Sequence, residues 1–434
     1  MKFYSLNNQS PLVDFKEATI KGQAPDKGLY FPEFIPRLPS AIVNDIQNYS
    51  DEEIAVELVR PYVGDTIDVN QLKQIVAETI NFPFPLVPVS ENIYALELFH
   101  GPTLAFKDVG ARFMSRCLSV FAKNNKQRIV VLVATSGDTG GAVADSFYKV
   151  ENVEVVILYP SGKVSALQEK QLTTLGNNVH ALEVAGNFDD CQQLVKQAFA
   201  DPQLTQQVFL TSANSINVAR WLPQQFYYAF AWKQWPFKDQ PPVIAVPSGN
   251  FGNICAGILA HVSGIPVKHF IAACNANDVI PGYFSTGKFT TKQAVATLSN
   301  AMDVASPSNF IRVMQLFEGS VNELKKLVSA TTTSDEETME TIRKVYSDYG
   351  YVLDPHSAVA YHSLEKYLQK NPGEKGFIIS TAHPVKFPEV VEKIIGKPLP
   401  LPDSVAGINN KPSYKTTIDV NYKMLRQYLL NFAR

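Results

Sequence analysis

The sequence predicts an α/β fold built on buried parallel sheets, and three observations carry that prediction. From Tyr94 onward, apolar runs of strand length recur at Ile129–Ala134, Val153–Tyr159, Val243–Val246, His269–Ala273 and Gly376–Ser380. These runs are rich in β-branched residues and lack polar alternation, as strands covered on both faces do. Helical segments follow them, giving the β-then-α grammar of a parallel sheet. The third observation is scale: 434 residues, at about 150 per domain, make two or three domains. A 45% hydrophobic and 18% charged composition is that of a folded chain with much buried surface.

The elements follow in chain order. Residues 1–93 mix short strands and helices with proline-rich joints, and read as an α+β N-terminal domain. Within them Ser50-Asp51-Glu52-Glu53 is a capping-box pattern that opens a helix through Ile54–Val59, because Ser50 and Glu53 each satisfy a free backbone donor. Asn81–Pro88 cannot be helix interior, since its repeated prolines remove donors and restrict the residues before them; a domain boundary falls there. Pro236–Pro242 reads as a linker between two lobes. Ser334-Asp335-Glu336-Glu337 is a second capping box, and Asp354-Pro355 a cap with proline at the first helical position. Gly282–Phe289 approaches a nucleotide-binding loop, but Phe289 stands where a magnesium-holding Ser or Thr belongs. It follows Asp278–Pro281 rather than a strand, and is expected to be a loop.

Charge excludes several classes of function. Lys and Arg number 39 against 41 Asp and Glu, a net charge of −2, so no excess is present to hold a polyanion by counterion release. Any anion must be held by local geometry. The first residues lack the apolar core of a signal peptide, and the apolar runs fall short of the ~20 residues that span a bilayer; a cytoplasmic protein is expected. Four cysteines without C-x-x-C spacing and seven dispersed histidines give no metal-ligand pattern, so no metal is expected.

One short pattern occurs twice in the same setting. Ser136-Gly137-Asp138-Thr139-Gly140 follows the strand Ile129–Ala134, and Ser248-Gly249-Asn250-Phe251-Gly252 follows Val243–Val246. A strand, a glycine turn and a helix start present free N–H groups and a helix dipole to an anion. Two such loops suit two anionic groups, or else are ordinary βα turns. Neither has the Gly-x-Gly-x-x-Gly of a dinucleotide site. Lys107, in His100-Gly101-Pro102-Thr103-Leu104-Ala105-Phe106-Lys107-Asp108, lies among apolar and small residues that disfavour an ammonium and favour the neutral amine a Schiff base needs. Taken alone it reads more readily as an amphipathic helix lysine, since surface lysines far outnumber such desolvated ones.

Five motifs taken together are far more specific. His100–Asp108, Ala134–Gly140, Asn214-Ser215-Ile216-Asn217, Pro247–Asn253 and Ser380-Thr381-Ala382-His383-Pro384 closely resemble the threonine synthase family, which belongs to the fold-type II enzymes that use pyridoxal 5′-phosphate (PLP). The likeness runs in order from Ala24–Tyr30 to about Lys386 and is similar to the long form with an extra N-terminal domain. It implies a tryptophan synthase β-like fold of two doubly wound sheet lobes plus the N-terminal domain: residues 1–93; a large PLP-binding lobe of 94–110 and 211–390; a small mobile lobe of 111–210; and a C-terminal segment of 391–434.

The resemblance also implies roles. Lys107 would carry the cofactor as an internal aldimine and, once displaced, move protons. Ser248, Gly249, Asn250, Phe251, Gly252 and Asn253 would cradle the cofactor phosphate, and Thr381 would hydrogen-bond the pyridine nitrogen. Ser136, Gly137, Asp138 and Thr139 would receive the substrate carboxylate, and Asn214, Ser215 and Arg220 the phosphate of O-phosphohomoserine, since Arg grips phosphate bidentately. Asp108, Arg112 and His383 would be supporting groups; Lys386, beside the pyridine-nitrogen motif, would assist there or be a solvated helix-start lysine, and Asn187 carries no assigned role. The reaction implied is γ-elimination of phosphate and β-addition of water, giving threonine, by a monomer or weak homodimer without nucleic-acid or membrane partners. Competing readings are a serine or threonine dehydratase or cysteine synthase, which would not depend on Arg220, and an inactive ligand-binding homologue, which would need neither Lys107 nor Thr381.

Overall fold

The computed structural model describes residues 1–123 and 128–432. In chain order its strands are β1 (Phe3–Ser5), β2 (Tyr30–Pro32), β3 (Leu86–Pro88), β4 (Ile93–Glu97), β5 (Ile129–Ala134), β6 (Val153–Pro160), β7 (Val179–Val184), β8 (Phe209–Thr211), β9 (Val243–Pro247), β10 (His269–Cys274), β11 (Val328–Thr332), β12 (Gly376–Ser380) and β13 (Lys415–Ile418). A larger sheet has the order β11-β10-β9-β12-β4-β3, parallel except where β3 meets β4. A smaller sheet, β13-β7-β6-β5-β8, is parallel throughout. β1 and β2 form an antiparallel pair. The α/β class expected from the sequence is the class observed.

The five apolar runs are all strands, because both faces of each are covered: every residue of β5 and β12 is buried. Both capping boxes form. Ser50 Oγ accepts from the Glu53 amide at 3.2 Å while the Glu53 carboxylate accepts from the Ser50 amide at 2.8 Å, and Ser334 and Glu337 repeat the pattern. Asp354 caps the helix Pro355–Lys370.

Two expectations need correction. Residues 282–286 are not a loop: they end the helix Val279–Thr286, which closes at Gly287 in the left-handed conformation, φ 71°, and only 287–289 are irregular. A glycine read as loop punctuation is in fact a helix stop. Pro236–Pro242 does not separate the lobes, because Tyr228, on the helix Gln225–Gln234 before it, already meets Phe270 of β10 in the larger sheet, with ring centroids 6.0 Å apart. There Trp235 Nε1 donates to the Gln240 carbonyl at 2.8 Å and its ring packs against Tyr94 and Phe237. The chain leaves the smaller sheet after β8, at residues 212–217.

The N-terminal segment is continuous with the large core rather than appended to it. Phe15 meets Phe113 and Phe121, on the helix Lys107–Ala122, edge-on with ring centroids 6.5 and 6.3 Å apart, so the first helix of the chain buttresses the helix that begins with Lys107. All four cysteines are buried free thiols whose ionisation burial opposes. Among the described residues no helix is long and apolar enough to cross a membrane.

Candidate active site

Lys107 and Thr381, far apart in sequence, are brought together by a short antiparallel contact. After β4 the chain runs beside the end of β12: Phe106 N donates to Thr381 O at 2.8 Å, His383 N donates to Leu104 O at 3.0 Å, and Ala105 bridges Ala382. Lys107 then opens its helix, where the positive dipole end further disfavours an ammonium. Its side chain is 16% exposed and Nζ lies 3.4 Å from Asp138 Oδ2. Burial is the main cause that pulls its amine below the ordinary lysine range; Asp138 opposes this and Lys386 adds to it. The amine is thereby tuned toward the neutral, nucleophilic form.

Asp138 is the hub of this cluster. Its Oδ1 takes Lys386 Nζ at 2.7 Å and Gln168 Nε2 at 3.0 Å, and Oδ2 faces Lys107. Burial works to raise the carboxyl, but Lys386 and then Lys107 outweigh it and hold it well below the usual carboxylate range. The Asp138 side chain is thus committed to cations, and a bound carboxylate would meet this residue only at its backbone. The loop is shaped for that. Thr135 Oγ1 accepts from the amides of Gly137 at 3.0 Å and Gly140 at 2.9 Å, while those of Ser136, Asp138 and Thr139 are outside these bonds. Gly137 has φ 136°, and a Cβ there would lie 2.5 Å from Gln168.

The second loop is braced from three sides. Ser248 N donates to Ala273 O, Asn250 Nδ2 donates to Ser215 Oγ at 2.9 Å, and Asn250 Oδ1 accepts from Ser308 N at 2.6 Å. Phe251 takes a left-handed φ of 61° before the helix Gly252–Val262. Asn253 turns away from the loop to Tyr228 and Gln224, which makes its side chain a brace. A Cβ on Gly249 would lie 2.6 Å from the Met302 Cα, and backbone cannot yield cheaply. Gly249→Ala should therefore weaken PLP binding by roughly 5- to 100-fold, from the ~1–3 kcal/mol of overpacking, as read by absorbance titration of the apoprotein with PLP.

Arg220 lies against the Lys107 helix, its carbonyl and Nε at 2.7 and 3.1 Å from where a Gly110 Cβ would sit. It is 4% exposed, donates to the Ala213 carbonyl, and leaves Nε without a partner. Among the described residues no carboxylate forms an ion pair with it. Burial lowers it to about 10. A buried guanidinium without a counter-ion is expensive, and this one is placed where an anion would supply it. Thr381, 7% exposed, spends its carbonyl on Phe106, and its hydroxyl bonds no protein group among the described residues. Thr381→Val, which removes only that hydroxyl, should lower kcat by roughly 2- to 10-fold, the ~0.5–1.5 kcal/mol of one hydrogen bond, and move the absorbance maximum of the bound cofactor.

Other expected residues serve elsewhere. Asp108 takes the Thr103 amide at 3.0 Å and its hydroxyl, and burial raises it to about 6. Arg112 holds the Glu78 carbonyl and Asn81; Asn187 caps the helix Phe188–Ala200; His383 Nδ1 accepts from Val385 N at 3.2 Å. Arg312 escaped sequence reasoning altogether. Fully buried, it donates to the carbonyls of Tyr30, Ser215 and Ile216 and to Asn309 Oδ1, and stacks over Trp221 at 4.5 Å. It ties the N-terminal segment to the Ser215 loop. Its sequence context, Phe310-Ile311-Arg312-Val313, gives no signal of this.

A buried lysine at a helix start, two glycine turns that each join a strand to a helix, and a free hydroxyl beyond β12, on one parallel and one largely parallel sheet, are the arrangement of a PLP-dependent enzyme of fold type II. The family model "Pyridoxal-phosphate dependent enzyme" matches residues 80–381, "Threonine synthase N terminus" residues 2–80 and "Threonine synthase, C-terminal" residues 357–429. Threonine synthase of Haemophilus influenzae is 45% identical over 431 residues, covering 99% of this chain and 100% of that one. The crystal structure of threonine synthase from Escherichia coli matches with a TM-score of 0.92 at 42% identity, over 99% of this chain and 100% of that one. PLP-bound threonine synthase from Brucella melitensis matches with a TM-score of 0.92 at 33% identity, over the whole of both chains. The chain belongs to the threonine synthase family. It is a PLP-dependent enzyme that forms threonine, and its residues fit that cofactor: a buried amine held below the ordinary lysine range at Lys107 and a hydroxyl without a protein partner at Thr381 suit a group that carries an aldehyde and a ring nitrogen.

Proposed function

We propose that the enzyme converts O-phospho-L-homoserine and water to L-threonine and phosphate by γ-elimination and β-addition of water, the last step of threonine biosynthesis. PLP, when bound, supplies an electron sink for negative charge at the substrate α-carbon. Lys107 holds the cofactor and, once freed, takes the proton from Cα. The Ser248–Asn253 loop binds the cofactor phosphate and Thr381 addresses its ring nitrogen. The amides of Ser136–Thr139 bind the substrate carboxylate. Asn214, Ser215 and Arg220 bind the distal phosphate, with Arg220 meeting the developing charge as that phosphate departs.

The lobe of residues 111–210 closes over the large lobe of 94–110 and 211–390 and excludes stray water from the reacting carbons; residues 1–93 flank them, and the segment 391–434 adds β13 to the sheet of the smaller lobe. A cytoplasmic enzyme acting as a monomer or weak homodimer completes the reading. The observation that carries it is the buried guanidinium of Arg220 beside the Lys107 helix, with Nε unpartnered and no counter-ion among the described residues, which a substrate without a distal phosphate would leave unsatisfied. Purified protein incubated with PLP and O-phosphohomoserine should release phosphate and threonine in equal amounts. Turnover of serine or O-acetylserine in their place would favour the dehydratase or cysteine synthase reading.

A further inference from the structure

Lys386 is the cation that this reaction scheme leaves unused. It ends the short turn Pro384–Lys386 after Thr381, and its side chain is wholly buried. Its ammonium donates to Asp138 Oδ1 at 2.7 Å and to Thr103 O at 2.8 Å, so it joins the loop before Lys107 to the helix that Asp138 opens. Gln168 takes the same carboxylate oxygen. Only Oδ2 is left for Lys107, at 3.4 Å. A lone buried carboxylate beside a lysine would make a closed ion pair and keep that lysine charged. Here one carboxylate is shared between two lysine nitrogens, with Oδ1 held by Lys386 and Gln168 and Oδ2 facing Lys107.

We propose that Lys386 is a positioning residue for Lys107: by claiming Asp138 Oδ1 it fixes the carboxylate and divides its charge, so that the Lys107 nitrogen can shed its proton and act as a base. The proposal rests on Lys107 being the cofactor lysine. The other charged or titratable groups around Lys107 are Arg220, across the helix, which further disfavours its charge, and Asp108, Tyr227 and His383. The Asp108 carboxyl is turned to Thr103, the Tyr227 hydroxyl to the Phe106 carbonyl, and His383 Nδ1 to Val385. None of these three offers Lys107 a counter-charge in place of Asp138.

The test is a pH titration of the visible absorbance of the PLP-loaded protein, which reports proton binding at the Lys107 nitrogen independently of turnover. Lys386→Gln keeps a hydrogen-bond donor and removes the charge. It should move the midpoint up by about one pH unit or more, with the acid limb of the kcat profile moving the same way. Asp138→Asn should move the midpoint down, and Lys386→Arg, which keeps the charge, should leave it at the wild-type value. An unmoved midpoint in Lys386→Gln overturns the proposal. So does Lys386→Arg shifting the midpoint by a unit or more, a result that decides the matter even where the Gln variant fails to fold. A Lys107→Ala protein that keeps the full absorbance band would instead overturn the assignment of Lys107, so the two failures are distinct.

Discussion

Lys107→Ala protein, mixed with PLP, should show no lysine-bound absorbance band, and threonine formation should fall by at least about 10³-fold, since one substitution removes both the attachment point and a general base worth about 10²–10⁴ alone. Small primary amines added to the variant should restore part of the rate, because they can replace the missing base. Folding should survive. Asp138 keeps Lys386 and Gln168 as partners, and a buried cation is lost rather than created, so the melting temperature of the apoprotein should stay close to wild type. A band at wild-type intensity in the variant would show that another residue holds the cofactor.

Arg220→Met is the second large effect, and it should separate substrate recognition from catalysis. Truncating one member of a buried, hydrogen-bonded charge pair costs about 2–5 kcal/mol, so kcat/KM for O-phosphohomoserine should drop by roughly 30- to 5,000-fold. PLP binding should be unchanged, because the Ser248–Asn253 loop is braced by Ser215, Ser308 and Asn309 without help from Arg220. The ligand-free variant should be at least as stable as wild type. In the free protein the guanidinium has an unpartnered Nε, and an apolar side chain of similar length does not pay its desolvation. Inhibition by inorganic phosphate should weaken in parallel. If kcat/KM were unchanged, the distal phosphate would be held elsewhere.

What could be read from the sequence, and what could not, divides along a physical line. β5, β6, β9, β10 and β12 were legible because strands buried on both faces carry their environment in their own composition. Lys107, Arg220 and the two serine-glycine loops stood in distinctive local motifs. Lys386 stands beside one of these motifs but reads as readily as a solvated lysine, which its full burial corrects, and Arg312 has no motif at all. A lysine after Pro-Val, or an arginine in an apolar helix, has the same local sequence whether it is solvated or fully buried, and only the packing of distant segments decides which. The helix Val279–Thr286 is hidden because Gly282 and Gly287, read with their neighbours as a loop, are a residue inside the helix and its left-handed stop. β13, with Lys415, Thr416 and Thr417 exposed, has no apolar run to announce it.

That last strand has a consequence for how the enzyme is made. β7, Val-His-Ala-Leu-Glu-Val, would be an open border of the smaller sheet, rich in apolar residues and with its peptide groups free to recruit another chain. β13 covers it with a lysine and two threonines, and Lys415 is clamped to Glu169 and Glu183 at 2.7 and 3.0 Å. The cover lies 231 residues beyond the strand it protects, counting from Val184 to Lys415. During synthesis, at about 5–20 residues per second, β7 waits on the order of ten seconds or more for its guard. The aggregation hazard of this enzyme therefore belongs to the nascent chain, and ends only when Lys415–Ile418 has emerged to pair with β7.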